Sequence, residues 1–310
     1  MKTKTRRLLQ PLWNAFERSL GAAPVLLCVS GGADSRALLE SIALWPKRHA
    51  GIGVISIDHR VRSESLAESE YIKARARALG FDADCFSIPR TERFNEAVLR
   101  QERYRVIWKE AERLGIQSIA LAHTQDDLAE GMLMDLMGVG GGAEGSAMPE
   151  IAQQDRGRVL RPLLRFSRSY LIAVLTELDQ LDYFEDPTND EPVANRVKVR
   201  EFLKIHPYPS KRLAKLSERR RLENEALDHW ALDLIQERSA KTVTIRNEPR
   251  IPMAVRIRSV KRALQLLMEG QDFRSSLPVI EQAISKEKGH FDLPGVCLQL
   301  SPGTVFIERK

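Results

Sequence analysis

Apolar residues in the first half of the chain come as short unbroken runs separated by amphipathic stretches. Val25–Val29 is the first run, and it stops at Ser30-Gly31-Gly32. Leu38, Ile42 and Trp45 then fall at helical spacing until Pro46 ends the pattern, so the segment reads as strand, tight loop, helix. The alternation continues to about Leu136. Gly53–Ile57, Asp84–Ile88 and Ser118–Ala122 read as buried strands; Ile72, Ala76 and Leu79, then Tyr104, Ile107, Ala111 and Leu114, mark the helices between them. Gly80 and Gly115 sit at expected helix C-caps. Repeated βα units predict an α/β fold with a doubly wound parallel sheet, whose ligands bind beyond the carboxyl ends of the strands.

Gly138–Gly145 interrupts the pattern, as a mobile lid or a connector. Pro207, Tyr208 and Pro209 suggest a boundary between a domain at 1–207 and a smaller α+β domain at 208–310. The latter opens with a helix expected from about Lys211 to Gln236. It then mixes a helical core pattern (Val260, Leu264, Leu267) with short strands at Val296–Leu300 and Thr304–Ile307.

Composition narrows the class. The chain has 310 residues, 43% hydrophobic and 29% charged, which fits a soluble globular protein of about two domains. No apolar run is long enough to span a bilayer, and the basic start, Met1 to Arg7, is not followed by a secretory apolar segment, so a cytoplasmic protein is expected. Three scattered cysteines, Cys28, Cys85 and Cys297, suggest neither a disulfide framework nor a zinc knuckle; Cys28 and Cys85 read as small core residues. Net charge is +6, yet Arg196–Arg221 alone holds ten Lys or Arg against Glu201 and Glu218. Such a stripe suits a polyanionic partner or a solvated helix.

The loop after the first strand carries the sharpest chemistry. Gly31 and Gly32 let the backbone turn and bring N–H groups against an anion, and the helix that follows aims its positive end at the same place. Ser30 and Ser35 can add hydroxyl donors. Asp34 would repel a phosphate directly and is better explained as a Mg²⁺ ligand bridging to phosphate oxygens. The segment matches neither a Walker loop nor a dinucleotide fingerprint.

Ser30-Gly31-Gly32-Ala33-Asp34-Ser35 resembles the PP-loop of the N-type ATP pyrophosphatases, which split ATP between its α and β phosphates and adenylate a substrate oxygen. Further segments resemble the bacterial tRNA(Ile)-lysidine synthetases, in that family's order. They are Ile57-Asp58-His59-Arg60-Val61-Arg62, Glu96-Ala97 with Arg100, Arg103 and Tyr104, and Ala122-His123-Thr124 with Asp126, Asp127 and Glu130. Arg161-Pro162-Leu163-Leu164, Ser167-Arg168, Glu185-Asp186-Pro187-Thr188-Asn189 and Asp292-Leu293-Pro294-Gly295 follow.

The resemblance implies ATP and Mg²⁺ as cofactors and two steps. A wobble cytidine O2 attacks the α-phosphate, and the side-chain amine of L-lysine then displaces AMP to give lysidine. It implies ATP contacts at Ser30 to Ser35, His59, Arg62 and His123, with Asp34 on the metal. Arg103 would stabilise developing charge, and Asp127 and Glu130 would hold or deprotonate the lysine amine. Arg100, Arg196, Lys198, Arg200, Lys211 and Arg212 would meet a tRNA with a CAU anticodon. A homodimer is left open. The chain departs from the family pattern at Ser56, Arg60, Thr124, Gly131, Met137, Ala194 and Lys198. A thiolating or amidating PP-loop enzyme, or a tRNA-binding paralogue without activity, are the alternatives.

Overall fold

Side chains alternate along a strand, and in β1 (Val25–Cys28) both sets are covered. Val25 and Leu27 enter one apolar core and Leu26 another, which places β1 inside a sheet packed on both faces. The computed structural model has this arrangement. It describes residues 1–58, 65–88, 96–139, 148–184, 195–206, 209–268, 277–286 and 288–310. Two units are distinguished, Met1–Glu218 and Arg219–Lys310.

In the first unit β2 (Ile52–Asp58) and then β3 (Asp82–Ser87) run parallel to β1 on one side. On the other side β4 (Ser118–Leu121) and β6 (Gly157–Leu160) are parallel too, and β5 (Ile151–Gln154) closes the edge antiparallel. The order is β3-β2-β1-β4-β6-β5. The chain builds outward from β1 to β3 and then returns to lay β4 against the opposite side of β1. The direction of building thus reverses between β1 and β4, and in open parallel sheets the ligand crevice lies beyond the strand ends at such a switch point.

One core gathers α1 (Thr3–Ser19), α2 (Ala33–Ala43), α3 (Ser65–Ala78) and α6 (Arg168–Glu177) against Val25 and Leu27. α4 (Glu96–Arg113) covers the other face, where Ile107, Trp108 and Ala111 meet Leu26, Ile55 and Ile119. The apolar stripe of α1, Leu9, Leu12, Trp13 and Phe16, is completely or almost completely buried. Trp13 donates to the Ser41 carbonyl at 3.1 Å, and Tyr170 of α6 donates to the Leu8 carbonyl at 2.6 Å. α5 (Gln125–Leu136) packs Ala129 against Val199 and Leu203 of α7 (Asn195–Ile205), and Leu128 against Ala214 of α8 (Ser210–Leu232).

An ionic network centred on the buried pair Arg36 and Glu40 ties α2 and α3 to the segment after α6. Arg36 is fully buried, with Glu40 at 3.2 Å and Asp182 at 3.0 Å; Arg75 forks onto Glu40 with two 2.9 Å bonds and also reaches Gln180. Tyr71 bonds Asp182 and meets Phe184 edge-on. The network thereby fixes the segment that carries Gln180, Asp182 and Phe184.

The second unit is an antiparallel sheet of β7 (Ile235–Arg238), β8 (Thr242–Asn247), β9 (Gly289–Leu293), β10 (Val296–Ser301) and β11 (Gly303–Arg309), in the order β7-β8-β11-β10-β9. α9 (Met253–Leu267) and α10 (Leu277–Ser285) share its apolar core through Val260, Leu264 and Ile280.

The four expected parallel strands occur within two residues of their expected limits. Three expectations are corrected. The helix expected to reach Gln236 ends at Leu232, and Ile235 and Gln236 belong to a strand. Leu114 lies past the end of α4 and is exposed. Cys85 is only partly buried and donates to Glu70 at 3.0 Å. Gly140–Gly145, Glu185–Asn189, Pro207 and Tyr208 lie outside the described residues. No described helix is long and apolar enough to cross a membrane.

Candidate active site

β1 delivers the chain to Ser30, and α2 starts three residues later. Gly31 adopts φ +92°, and a Cβ built there would stand 2.7 Å from a Phe184 ring carbon. Its carbonyl accepts the Phe184 N–H at 3.0 Å. Only glycine combines that backbone angle with that neighbour. Ser35 braces the turn from inside: its hydroxyl accepts the Gly31 N–H at 3.0 Å and donates to the Gly32 carbonyl at 2.9 Å. The Ser35 hydroxyl, expected as a phosphate donor, is therefore engaged in holding the loop. Ser30 Oγ lies 3.3 Å from it. The first intrahelical bond of α2 runs from the Arg36 N–H to the Gly32 carbonyl, so the amides of Gly32, Ala33, Asp34 and Ser35 precede the helical ladder. These groups make the helix start an anion site.

Across the crevice, β4 leads through His123 into α5. Thr124 caps that helix, and Asp127 completes the reciprocal box by accepting the Thr124 N–H at 2.8 Å and its hydroxyl at 3.0 Å. The departure from the family's second histidine at Thr124 thus has a structural role. Glu130 is buried and accepts a 2.9 Å bond from Arg200 of α7.

Arg168, at the start of α6, joins the two sides. Its guanidinium reaches Asp34 at 2.8 and 3.2 Å, and its backbone N–H donates to Asp126 at 2.7 Å. Burial lifts the Asp34 carboxyl above its ordinary range; Arg168 opposes that rise, and the neighbouring Asp127 and Asp126 add to it. Burial also disfavours the Arg168 cation, but Asp34, Asp127 and Glu130 outweigh it and raise its pKa. Arg168 thus meets Asp34 through its guanidinium and Asp126 through its backbone N–H, within the electrostatic reach of Asp127 and Glu130. In the sequence Ser167-Arg168 stands out only as a matching segment. The available signal is Ser167 as an N-cap, whose side chain accepts the Tyr170 N–H.

Arg103 and Arg100 approach from α4. Burial, opposed by Asp127 and reinforced by Arg161, Arg100 and Arg103, lowers the His123 pKa to about 4, so its ring is neutral at neutral pH. Its Nδ1 is buried without a hydrogen-bond partner among the described residues. Arg100 lies over the Tyr104 ring at 5.3 Å. Arg200, expected on the RNA side, is tied to Glu130. Lys198, Lys211 and Arg212 are exposed. His59 and Arg62, and the side chain of Arg196, lie outside the described residues.

The PP-loop domain family matches residues 1–206. The chain belongs to that family. The strand, braced glycine turn and helix of this PP-loop protein lie inside the matched range, at the switch point between β1 and β4. The chain is 32% identical over 300 residues to the tRNA(Ile)-lysidine synthase of Thermus thermophilus, covering 92% of this chain and 56% of that protein. Identity is 33% over 220 residues with the enzyme of the same name from Bradyrhizobium sp. (66% and 59%), and 34% over 227 residues with that of Leifsonia xyli (69% and 66%). The chain spans between about half and two thirds of the length of these curated relatives. The U34-tRNA thiolase NcsA of Methanococcus maripaludis shares the fold, with a TM-score of 0.55 and 14% identity, over 69% of this chain and 79% of that one.

Proposed function

We propose that this PP-loop protein is a tRNA(Ile)-lysidine synthase, using ATP to adenylate the wobble cytidine of a tRNA and free L-lysine to displace AMP. The alignment with a relative of that name over 300 residues carries this reading. In the first step the cytidine O2 bonds to the α-phosphorus and pyrophosphate leaves. The amides of Gly32 to Ser35 would hold the departing pyrophosphate, and Arg103 would meet charge developing on the phosphate oxygens. In the second step the lysine amine bonds to C2 of the base, the C2–O bond to AMP breaks, and the amine proton passes to a carboxylate of the Asp127 and Glu130 pair.

The donor set fits Mg²⁺: Asp34 offers hard oxygens, and Asp126 and Asp127 add negative charge that a divalent ion relieves. Mg²⁺ would neutralise pyrophosphate as it leaves. Arg168 holds Asp34 in place and is the cation a metal would share it with. His123, neutral and with no partner for its Nδ1 among the described residues, would offer an uncharged contact to the nucleotide. The cytoplasm is the matching compartment, and a homodimer would be read by light scattering. The thiolation alternative finds no support in the cysteines, since burial pushes the Cys28 thiol up to about 12 and that of Cys85 to about 11.

Incubation with ATP, radiolabelled lysine and total bacterial tRNA tests the reading. Label in a modified cytidine is expected, at least 100-fold reduced in Asp34→Ala. Glu130→Gln is expected to raise the KM for lysine more than that for ATP. Binding of tRNA without any lysine incorporation would overturn the proposal in favour of a non-catalytic paralogue.

A further inference from the structure

The outer face of the C-terminal sheet carries a cluster that the nucleotide chemistry does not use. His290 and Asp292 lie two residues apart on β9 and so share a face. Cys297 on β10 stands directly across from Asp292, with Glu308 on β11 as its other cross-strand neighbour. The core of this unit lies on the opposite face, with Leu293, Val296, Leu298 and Ile307 buried. His290 Nε2 is 3.2 Å from Cys297 Sγ and 3.9 Å from Asp292 Oδ1. One ligand atom from each of the three residues lies within 4.8 Å of the others, and no other such group occurs among the described residues.

A tetrahedral zinc ion, with bonds of about 2.0–2.3 Å, sets nitrogen and sulfur ligands about 3.5 Å apart. The observed spacing is already close to that. We infer that His290, Asp292 and Cys297 form a binding site for a divalent ion of the zinc class. Sulfur and imidazole ligands select such an ion over Mg²⁺ or Ca²⁺, and strands hold the ligands more firmly than loops do. Asp292 and Glu308 supply negative charge. Lys310 is the cation facing them, 2.5 Å from Asp292, and the incoming ion takes its place. On binding, the Cys297 S–H gives its proton to solvent, its sulfur bonds to the ion, and His290 donates its Nε2 lone pair; water completes the shell. Because β9 is an edge strand, the ion fastens that edge to β10. The site is independent of the reaction proposed above.

Cobalt(II) titrated into the reduced full chain tests the inference. One ion per chain is expected, with a near-ultraviolet thiolate-to-cobalt band that equimolar zinc abolishes. Cys297→Ser should eliminate the band, and His290→Ala should weaken cobalt binding at least tenfold, whereas a Cys28→Ser, Cys85→Ser double variant should match the parent. Zinc should raise Tm in the parent and not in Cys297→Ser. Absence of the band in the parent, its persistence in Cys297→Ser, or unchanged affinity in His290→Ala would overturn the site.

Discussion

Gly31 and Gly32 are neighbours in the motif with different physical demands. A Cβ at Gly31 meets both a positive φ and the Phe184 ring, whereas at Gly32 its nearest neighbour is 3.8 Å away and no strained angle is involved. Gly31→Ala is therefore expected to lose about 2–4 kcal/mol in urea unfolding, and Gly32→Ala about 0.5 kcal/mol or less. His123 supplies a pH signature. Its folded pKa of about 4 lies below the ordinary 6.5, so the unfolded chain binds the extra proton first. The resulting stability is complete above pH 6.5 and is lost as pH falls toward 4, by up to about 3 kcal/mol. Unfolding measured across that window should show this slope in the parent and a shallower one in His123→Gln. The loop glycines, His123 and Asp127 are legible in the sequence because each sits at a strand end or a helix start, and Glu130 because it lies one helical turn beyond Asp127. The pairing of Asp34 with Arg168 is not, since it spans 134 residues and depends on how α6 is seated.

At the scale of elements, the buried charges decide more than the exposed ones. Glu40 is the shared partner of Arg36 and Arg75, and the Arg36 side chain is wholly shielded from water. Glu40→Ala leaves a buried cation poorly compensated and is expected to cost about 3–5 kcal/mol in chemical denaturation. Asp182, whose side chain is 52% exposed, should cost about 1 kcal/mol or less on change to Asn. The central strands β1, β2 and β4 can be read from sequence because burial on both faces makes their runs largely apolar, whereas β3, at the sheet edge, is read mainly from Cys85, Phe86 and Ile88. The β5–β6 hairpin and β7 cannot be read so: Gln153, Gln154 and the Gln236–Arg238 stretch are exposed, and an edge strand with solvent on its side chains leaves no hydrophobic period. The apolar stripe of α1, Leu9, Leu12, Trp13 and Phe16, is flanked by Arg6, Arg7, Glu17 and Arg18, so the basic start of the chain masks its helical period.

Across the whole molecule, charge is unevenly distributed. Within the basic segment, Arg200 pairs with Glu130, Arg219 with Glu223 and Arg221 with Glu225, so less of the stripe faces a partner than the bare sequence suggests. Lys198, Lys204, Lys211 and Lys215 are exposed. Replacing these four with Ala should weaken tRNA binding and flatten the plot of log affinity against log salt by up to about 4, roughly one for each phosphate no longer neutralised; an unchanged slope would assign them to solvent. The first helix adds a consequence in time. Leu8 lies 162 residues before the Tyr170 hydroxyl that secures it, and ribosomes add about 5–20 residues per second, so on the order of ten to thirty seconds separate the two. During that interval Leu9, Leu12, Trp13 and Phe16 emerge from the ribosome ahead of α6, part of the surface that shelters them. The nascent chain is therefore expected to expose this apolar stripe until α6 is made, a stage at which chaperones that bind exposed apolar surface would shield it.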